Sequence, residues 1–203
     1  MAVKRTGYTA TTPQHYLMDA GAVYRNLVFN EDEWDGELLG ATSDGSTLSI
    51  EIGYREIEVD GVKVATRGGE AVETATATLE VNVKEITAKN YAKAINGRVR
   101  AALPAEAPEG YQVIESFAEV RDQDYDDNVA FVGTLSGSDQ PFIAILRNTL
   151  VTSPAETEHA DDDEATIAMT FKAHADHDDV EANRLPWIIF YPPLRGVEPD
   201  PAG

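Results

Sequence analysis

The sequence predicts a mainly β protein, a β-sandwich or small barrel with one short α-helix. Three observations lead there. From Ala75 to Val83 the pattern alternates strictly, with Ala75, Ala77, Leu79, Val81 and Val83 on one side and Thr76, Thr78, Glu80 and Asn82 on the other. Ala165, Ile167, Met169, Phe171 and Ala173 alternate in the same way with Thr166, Ala168, Thr170 and Lys172. A period of two marks strands with one buried face. Helical spacing occurs in one place, after Thr87, where Tyr91, Ala94 and Ile95 share a face and Thr87 offers an N-cap.

The remaining elements follow in order. Residues 1–20 are polar and aperiodic, with Thr9-Ala10-Thr11-Thr12-Pro13 in the middle, and read as an N-terminal arm. Ala22–Phe29 is a first strand and Asn30–Gly36 an acidic turn. Ser46–Val59 is a long strand with apolar Leu48, Ile50, Ile52 and Tyr54; its parity flips to Ile57 and Val59, which places a bulge or bend near Gly53–Glu56. Asp60-Gly61 reads as a type I′ turn, bringing Val62 back beside Val59. Pro104–Gly110 is a loop, Tyr111–Val120 a weak strand, Asp122–Asp127 a charge run and Val129–Leu135 a strand. Phe142–Leu150 is almost continuously apolar, broken by Arg147 and Asn148, and is expected to be a central strand covered on both faces. Pro186–Tyr191 is a last strand stopped by Pro192-Pro193. About eight strands thus form one domain over residues 21–193, with residues 194–203 as a C-terminal tail.

Composition narrows the function. The 203 residues contain no cysteine, which removes disulfides, thiolate metal sites and a cysteine nucleophile. The start lacks the apolar core of a signal peptide, and the apolar stretches are too short to span a bilayer. A net charge of −20 and a pI near 4.4 oppose nucleic-acid binding, which depends on Lys and Arg neutralising phosphates. The same charge suits a wall past which DNA must slide, or a host living in high salt where self-repulsion is screened. These two readings are compatible.

No constellation matches a catalytic frame. Ser136 misses the nucleophile-elbow spacing, because its glycine, Gly133, lies three residues upstream rather than two. Arg67-Gly68-Gly69 lacks the phosphate-cradling frame, and Glu51, Glu56 and Glu58 lack any sugar cleft around them. The weak metal candidates are His159, Asp161, His174, Asp176 and His177, whose spacing matches no zinc or calcium motif; a solvated acidic loop is the plainer reading. Trp34 and Trp187 read as anchors in a core or a subunit contact.

The ordered series GATSDGST, REIEVDGVK, strand–KEIT–helix, PFIAILRNTLVTSPAE, DDDEATIAMTFKAHAD and PWIIFYPP resembles the major tail tube protein of long-tailed, non-contractile viruses of bacteria and archaea. It covers roughly residues 20 to 193 and is weakest between Arg98 and Ser138. The resemblance implies a tail-tube fold that assembles into a hexameric ring with a shared inner β-barrel. It also implies rings that stack into a conduit for viral DNA, in the tail of a virion made in the host cytoplasm. The implied partners are further copies of itself and the tape-measure, tail terminator and distal tail proteins, with no cofactor and no enzymatic activity. The length of Ser46–Val59, about 46 Å at roughly 3.3 Å per residue, exceeds what a small sandwich needs and suits edges completed by copies. Under this reading Thr74, Thr76, Thr78, Glu80, Asn82, Thr166, Thr170 and Lys172 are the candidate channel wall, with outside solvent as the alternative for that face. Val59, Asp60, Gly61, Val62 and Lys63 are the candidate inter-subunit hairpin. A tube subunit of a contractile secretion apparatus and a carbohydrate- or ion-binding β-sandwich on a virion remain open.

Overall fold

The computed structural model of the protein describes residues 6–157 and 164–196. Among them the chain forms ten strands and two α-helices: β1 (Leu17–Asn30), β2 (Glu33–Leu38), β3 (Thr42–Glu56), β4 (Glu70–Val83), α1 (Ala88–Ala94), β5 (Gly97–Ala101), β6 (Gln112–Ser116), β7 (Asp126–Leu135), β8 (Pro141–Val151), β9 (Ile167–Lys172), α2 (His177–Glu181) and β10 (Trp187–Phe190). The main sheet is antiparallel in the order β2-β1-β7-β8-β9-β4-β3, with β10 also on β8; β5 and β6 form a separate hairpin. The β-rich class is as expected. Closure is not, because the sheet ends at the free edges of β2 and β3.

The central strand explains the shape. β8 pairs with β7 along one edge and divides the other edge between β10, at Ile143–Leu146, and β9, at Leu150–Val151. Arg147 and Asn148, the two polar residues that interrupt its apolar run, sit at this branch, and Asn148 takes a left-handed conformation (φ 47°). Asparagine enters that region more readily than a branched residue, so the strand bends there and the two arms of the sheet diverge.

Both faces of β7 and β8 are buried along most of their length, as near-continuous apolar strands require, and β1 adds Val23 to one face and Leu27 to the other. One face supplies Val23, Val129, Phe131 and Leu146 to a core completed by Ala77, Leu79, Val81 and Val83 of β4, by Ile167, Met169 and Phe171 of β9, and by Ala94 and Tyr91 of α1. The other face holds a smaller cluster of Leu27, Ala130, Ile143 and Ile145, flanked by Tyr24, Trp34, Val132 and Ile188. Trp34 on β2 meets Phe190 on β10 with ring centroids 5.1 Å apart. Those strands lie at opposite edges of β2-β1-β7-β8-β10, so this arm is strongly curled around the smaller cluster. Gly21 permits the irregularity in β1 between Met18 and Ala22: its φ is +67°, and a Cβ there would collide with the Phe131 ring.

Several local expectations need correction. There are two α-helices rather than one: Asp176 caps α2, its carboxylate accepting the Asp179 N–H at 2.8 Å. The type I′ turn is not at Asp60-Gly61. It joins β1 to β2 at Glu31-Asp32, both with positive φ (47° and 73°), so half of the expected acidic turn is strand β2. At Val59–Val62 only Gly61 has positive φ (84°), with the Val62 N–H donating to the Val59 carbonyl at 3.1 Å, the pattern of a type II turn. That turn splays the strands it joins, so Val59, Asp60, Gly61, Val62 and Lys63 lie in an open loop of residues 57–69 and not in a tight hairpin. The bulge, by contrast, falls where expected, between Gly53 and Tyr54. β1 begins at Leu17, inside the segment read as the arm.

Candidate assembly surface

The longest pairing in the molecule is β3 with β4, running from Thr42↔Val83 to Glu56↔Glu70. Only its inner half is supported. β9 covers the second edge of β4 from Thr78 to Val83, and the core takes Leu48, Ile50, Ala77 and Leu79. Among the described residues, the outer edge of β4 beyond Ala77 has no partner strand, and the outer edge of β3 has none along its whole length. The outer half is therefore a two-stranded ribbon, whose ladder ends with the Ile57 N–H on the Gly69 carbonyl. It carries exposed apolar side chains: Ile52, Tyr54 (60% exposed) and Val72, then Ile57, Val59, Val62 and Val64 in the loop. An isolated two-stranded ribbon is marginal in water, and exposed apolar edges invite strand addition.

The face of the ribbon turned away from the core is polar. The register sets Thr47, Ser49, Glu51 and Gly53 opposite Glu80, Thr78, Thr76 and Thr74. On the other side of β4, Lys172 lies opposite Thr78, Thr170 opposite Glu80 and Ala168 opposite Asn82. Thr74, Thr76, Thr78, Glu80, Asn82, Thr170 and Lys172 thus share one three-stranded surface, and Thr166 lies one residue before β9 in the same alternation. That surface is mostly hydroxyl groups, with Glu51, Glu80 and Lys172 as its charges and Arg55 next in the same alternation at its outer end. Hydroxyls offer a phosphate backbone only weak, neutral contacts, where a row of lysines would grip it.

Two of the metal candidates, His174 and Asp176, do other work. His174 is half-buried, its Nδ1 3.1 Å from the Asn148 carbonyl oxygen and its ring edge-on to Tyr125. Asp176 is the cap of α2, and the backbone N–H of Asp179 holds its carboxyl below the usual range. His177 is exposed in the first turn. His159 and Asp161 lie outside the described residues. Among the described residues no three His, Asp or Glu side chains converge as metal ligands. Ser136 donates its hydroxyl to the Pro13 carbonyl and belongs to a turn closed by the Ser138 N–H on Leu135. No described helix is long and apolar enough to cross a membrane.

Two buried carboxylates were not legible in the sequence. Asp126, from the charge run, has a side chain only 2% exposed and takes Arg25 Nη2 at 2.6 Å and Lys93 Nζ at 3.0 Å, tying β1, β7 and α1 together. Burial pushes the Lys93 amine down from its ordinary value, against the pull of the Asp126 charge. Asp179 pairs with Arg147 at 2.8 Å and Arg184 at 3.2 Å, fixing α2 to the branch of β8. Both read as struts. No protein-family model matches the chain, and no curated protein is significantly similar to it.

Proposed function

We propose that the protein is a self-assembling structural subunit, a tail tube protein whose copies join edge to edge into hexameric rings that stack as a conduit for viral DNA. One observation carries the proposal: the β3–β4 ribbon runs past the body that stabilises its inner half, with open edges and exposed apolar side chains. A solitary chain gains nothing from such an extension, whereas a neighbouring strand would satisfy its backbone groups and cover its apolar face. Pairing of one edge with a different edge on the next copy is heterologous, and heterologous contacts close into rings when the rotation permits. The polar face of β3, β4 and β9 would then line the channel, offering hydroxyls and few charges to passing phosphates.

The net charge of −20 bears on how the subunit is stored and used. Copies repel one another at low ionic strength, and added salt shortens the range of that repulsion to about 3 Å at 1 M. Negative-stain microscopy and sedimentation of the purified chain across a salt series test the proposal. Rings or tubes are expected as salt rises; monodisperse monomers at every salt and protein concentration would remove it.

A further inference from the structure

The mouth of the curled arm is a second exposed apolar surface, away from the ribbon. Phe29 (55% exposed) packs on Trp34 with centroids 5.1 Å apart, Trp34 packs on Phe190 at the same separation, and Phe190 is itself exposed. Immediately beyond the Phe29–Trp34 pair lies the turn Glu31-Asp32, followed by exposed Glu33, and no Lys or Arg occurs between Asn26 and Leu38. The surface is thus an aromatic platform with an acidic rim. The second half of the loop at the far end of the ribbon has the complementary character. Its segment from Val62 to Arg67 contains Lys63 and Arg67 with no acid, the acids of the loop, Glu58 and Asp60, lying before it. Between those cations stands Val64, at 73% exposed the barest large apolar side chain among the described residues.

We infer that the Val62–Arg67 loop of one copy docks on the Phe29–Trp34–Phe190 platform of a second copy, Val64 seating on the aromatic rings and Lys63 and Arg67 facing the Glu31–Glu33 rim. The inference rests on the self-assembly reading above and adds the pair of surfaces that meet. An aliphatic side chain against aromatic faces, bordered by opposite charge, supplies both burial and orientation. The two surfaces differ, so each copy offers one and accepts the other, which propagates through an assembly rather than stopping at a dimer.

The absence of cysteine makes the test clean. Val64→Cys and Phe29→Cys variants, both at exposed positions, are mixed under conditions where sedimentation shows assembly, then exposed to oxidised glutathione. The expected product is a reducible dimer joining the two different variants. A Val64→Cys and Val180→Cys mixture, with Val180 exposed on α2, should give little. Adding Lys63→Glu and Arg67→Glu to the Val64→Cys chain should slow the cross-link about tenfold. Assembled particles with no Val64–Phe29 product, or with equal product at Val180, would overturn the inference while leaving self-assembly intact. A chain that never assembles would overturn both.

Discussion

The inner and outer halves of the β3–β4 ribbon are built from the same kind of sequence and have opposite fates. In the inner half, Leu48 and Ile50 lie against Ala77 and Leu79, β9 extends the ladder, and the core closes over one face. In the outer half, Ile52, Tyr54 and Val72 continue the strands with no third strand and no cover. Alternation therefore specifies a strand and which side is apolar, while the object that covers that side is specified elsewhere. For the inner half it is α1 and the β7–β8 face. For the outer half the described residues provide nothing, and the proposed cover is another copy.

The comparison is sharpest when the body is damaged. Asp126→Asn removes a charge that two buried cations share, and breaking a buried pair of this kind costs about 3–5 kcal/mol. A fall in Tm for the unassembled chain, at the top of the changes considered, is expected by calorimetry or circular dichroism. A Tm within a degree or two of the parent would mean that water replaces the carboxylate and that the strut is dispensable. Leu79→Ala probes the inner ribbon directly: the side chain is fully buried, and its loss should cost about 2–5 kcal/mol. Tyr54→Ser in the outer half should change monomer stability by less than about 0.5 kcal/mol, as exposed substitutions do, yet reduce ring or tube formation. Equal thermal penalties at Leu79 and Tyr54 would erase the distinction between the halves.

What the sequence disclosed follows the same line. β4 and β9 were legible because each has one covered and one open face, and their polar sides lie side by side because register follows from that alternation. β8 was legible as central because apolar residues fill both of its faces. The type I′ turn at Glu31-Asp32 was not, since that pair lacks the asparagine or glycine that advertises positive φ, whereas Asp60-Gly61 advertises it and forms something else. α2 hid in an acidic run because its five residues are too few to show a helical period. Asp126 hid for another reason: its burial depends on Arg25, 101 positions away in the chain, and no local pattern reports that meeting. The grouping of Phe29, Trp34 and Phe190 has no local signature beyond Trp34 itself, because it needs the curl of five strands to exist.

The β5–β6 hairpin offers a smaller contrast with the ribbon, since electrostatics braces it where the ribbon has no brace. Arg100 reaches both oxygens of Glu106, at 2.8 and 2.9 Å, and Glu115 at 2.7 Å. The Arg100 guanidinium and the Leu103 N–H hold the Glu106 carboxyl down at about 2, and Arg100 also lowers Glu115. A carboxyl depressed in the folded state favours folding above its ordinary pKa of 4.5, and that contribution disappears as pH falls from there towards 2. Amide exchange at Val99 and Ile114, measured against the β7–β8 amides, should therefore accelerate selectively across that window. Unchanged relative protection would show that the three side chains pair without bracing the hairpin, as exposed ion pairs often do.

The smallest effect lies at the end of the ribbon. Glu56 and Glu70 face each other as the last register pair of β3 and β4, both exposed, and like charges directly opposite destabilise a ladder. Glu70→Lys converts that pair into an attractive one, worth about 0.2–1 kcal/mol relative to a neutral pair. Global Tm should hardly move, because the outer ribbon opens without the body. Exchange at the Arg55 and Ile57 amides should slow, and the slowing should shrink as salt screens the pair. If the ribbon is completed by a neighbour, a stiffer ribbon should also lower the salt concentration at which assembly begins, since less ordering remains to be done on contact. Slower exchange with an unmoved assembly threshold would locate the barrier in the repulsion between whole subunits and not in the looseness of the strand they share.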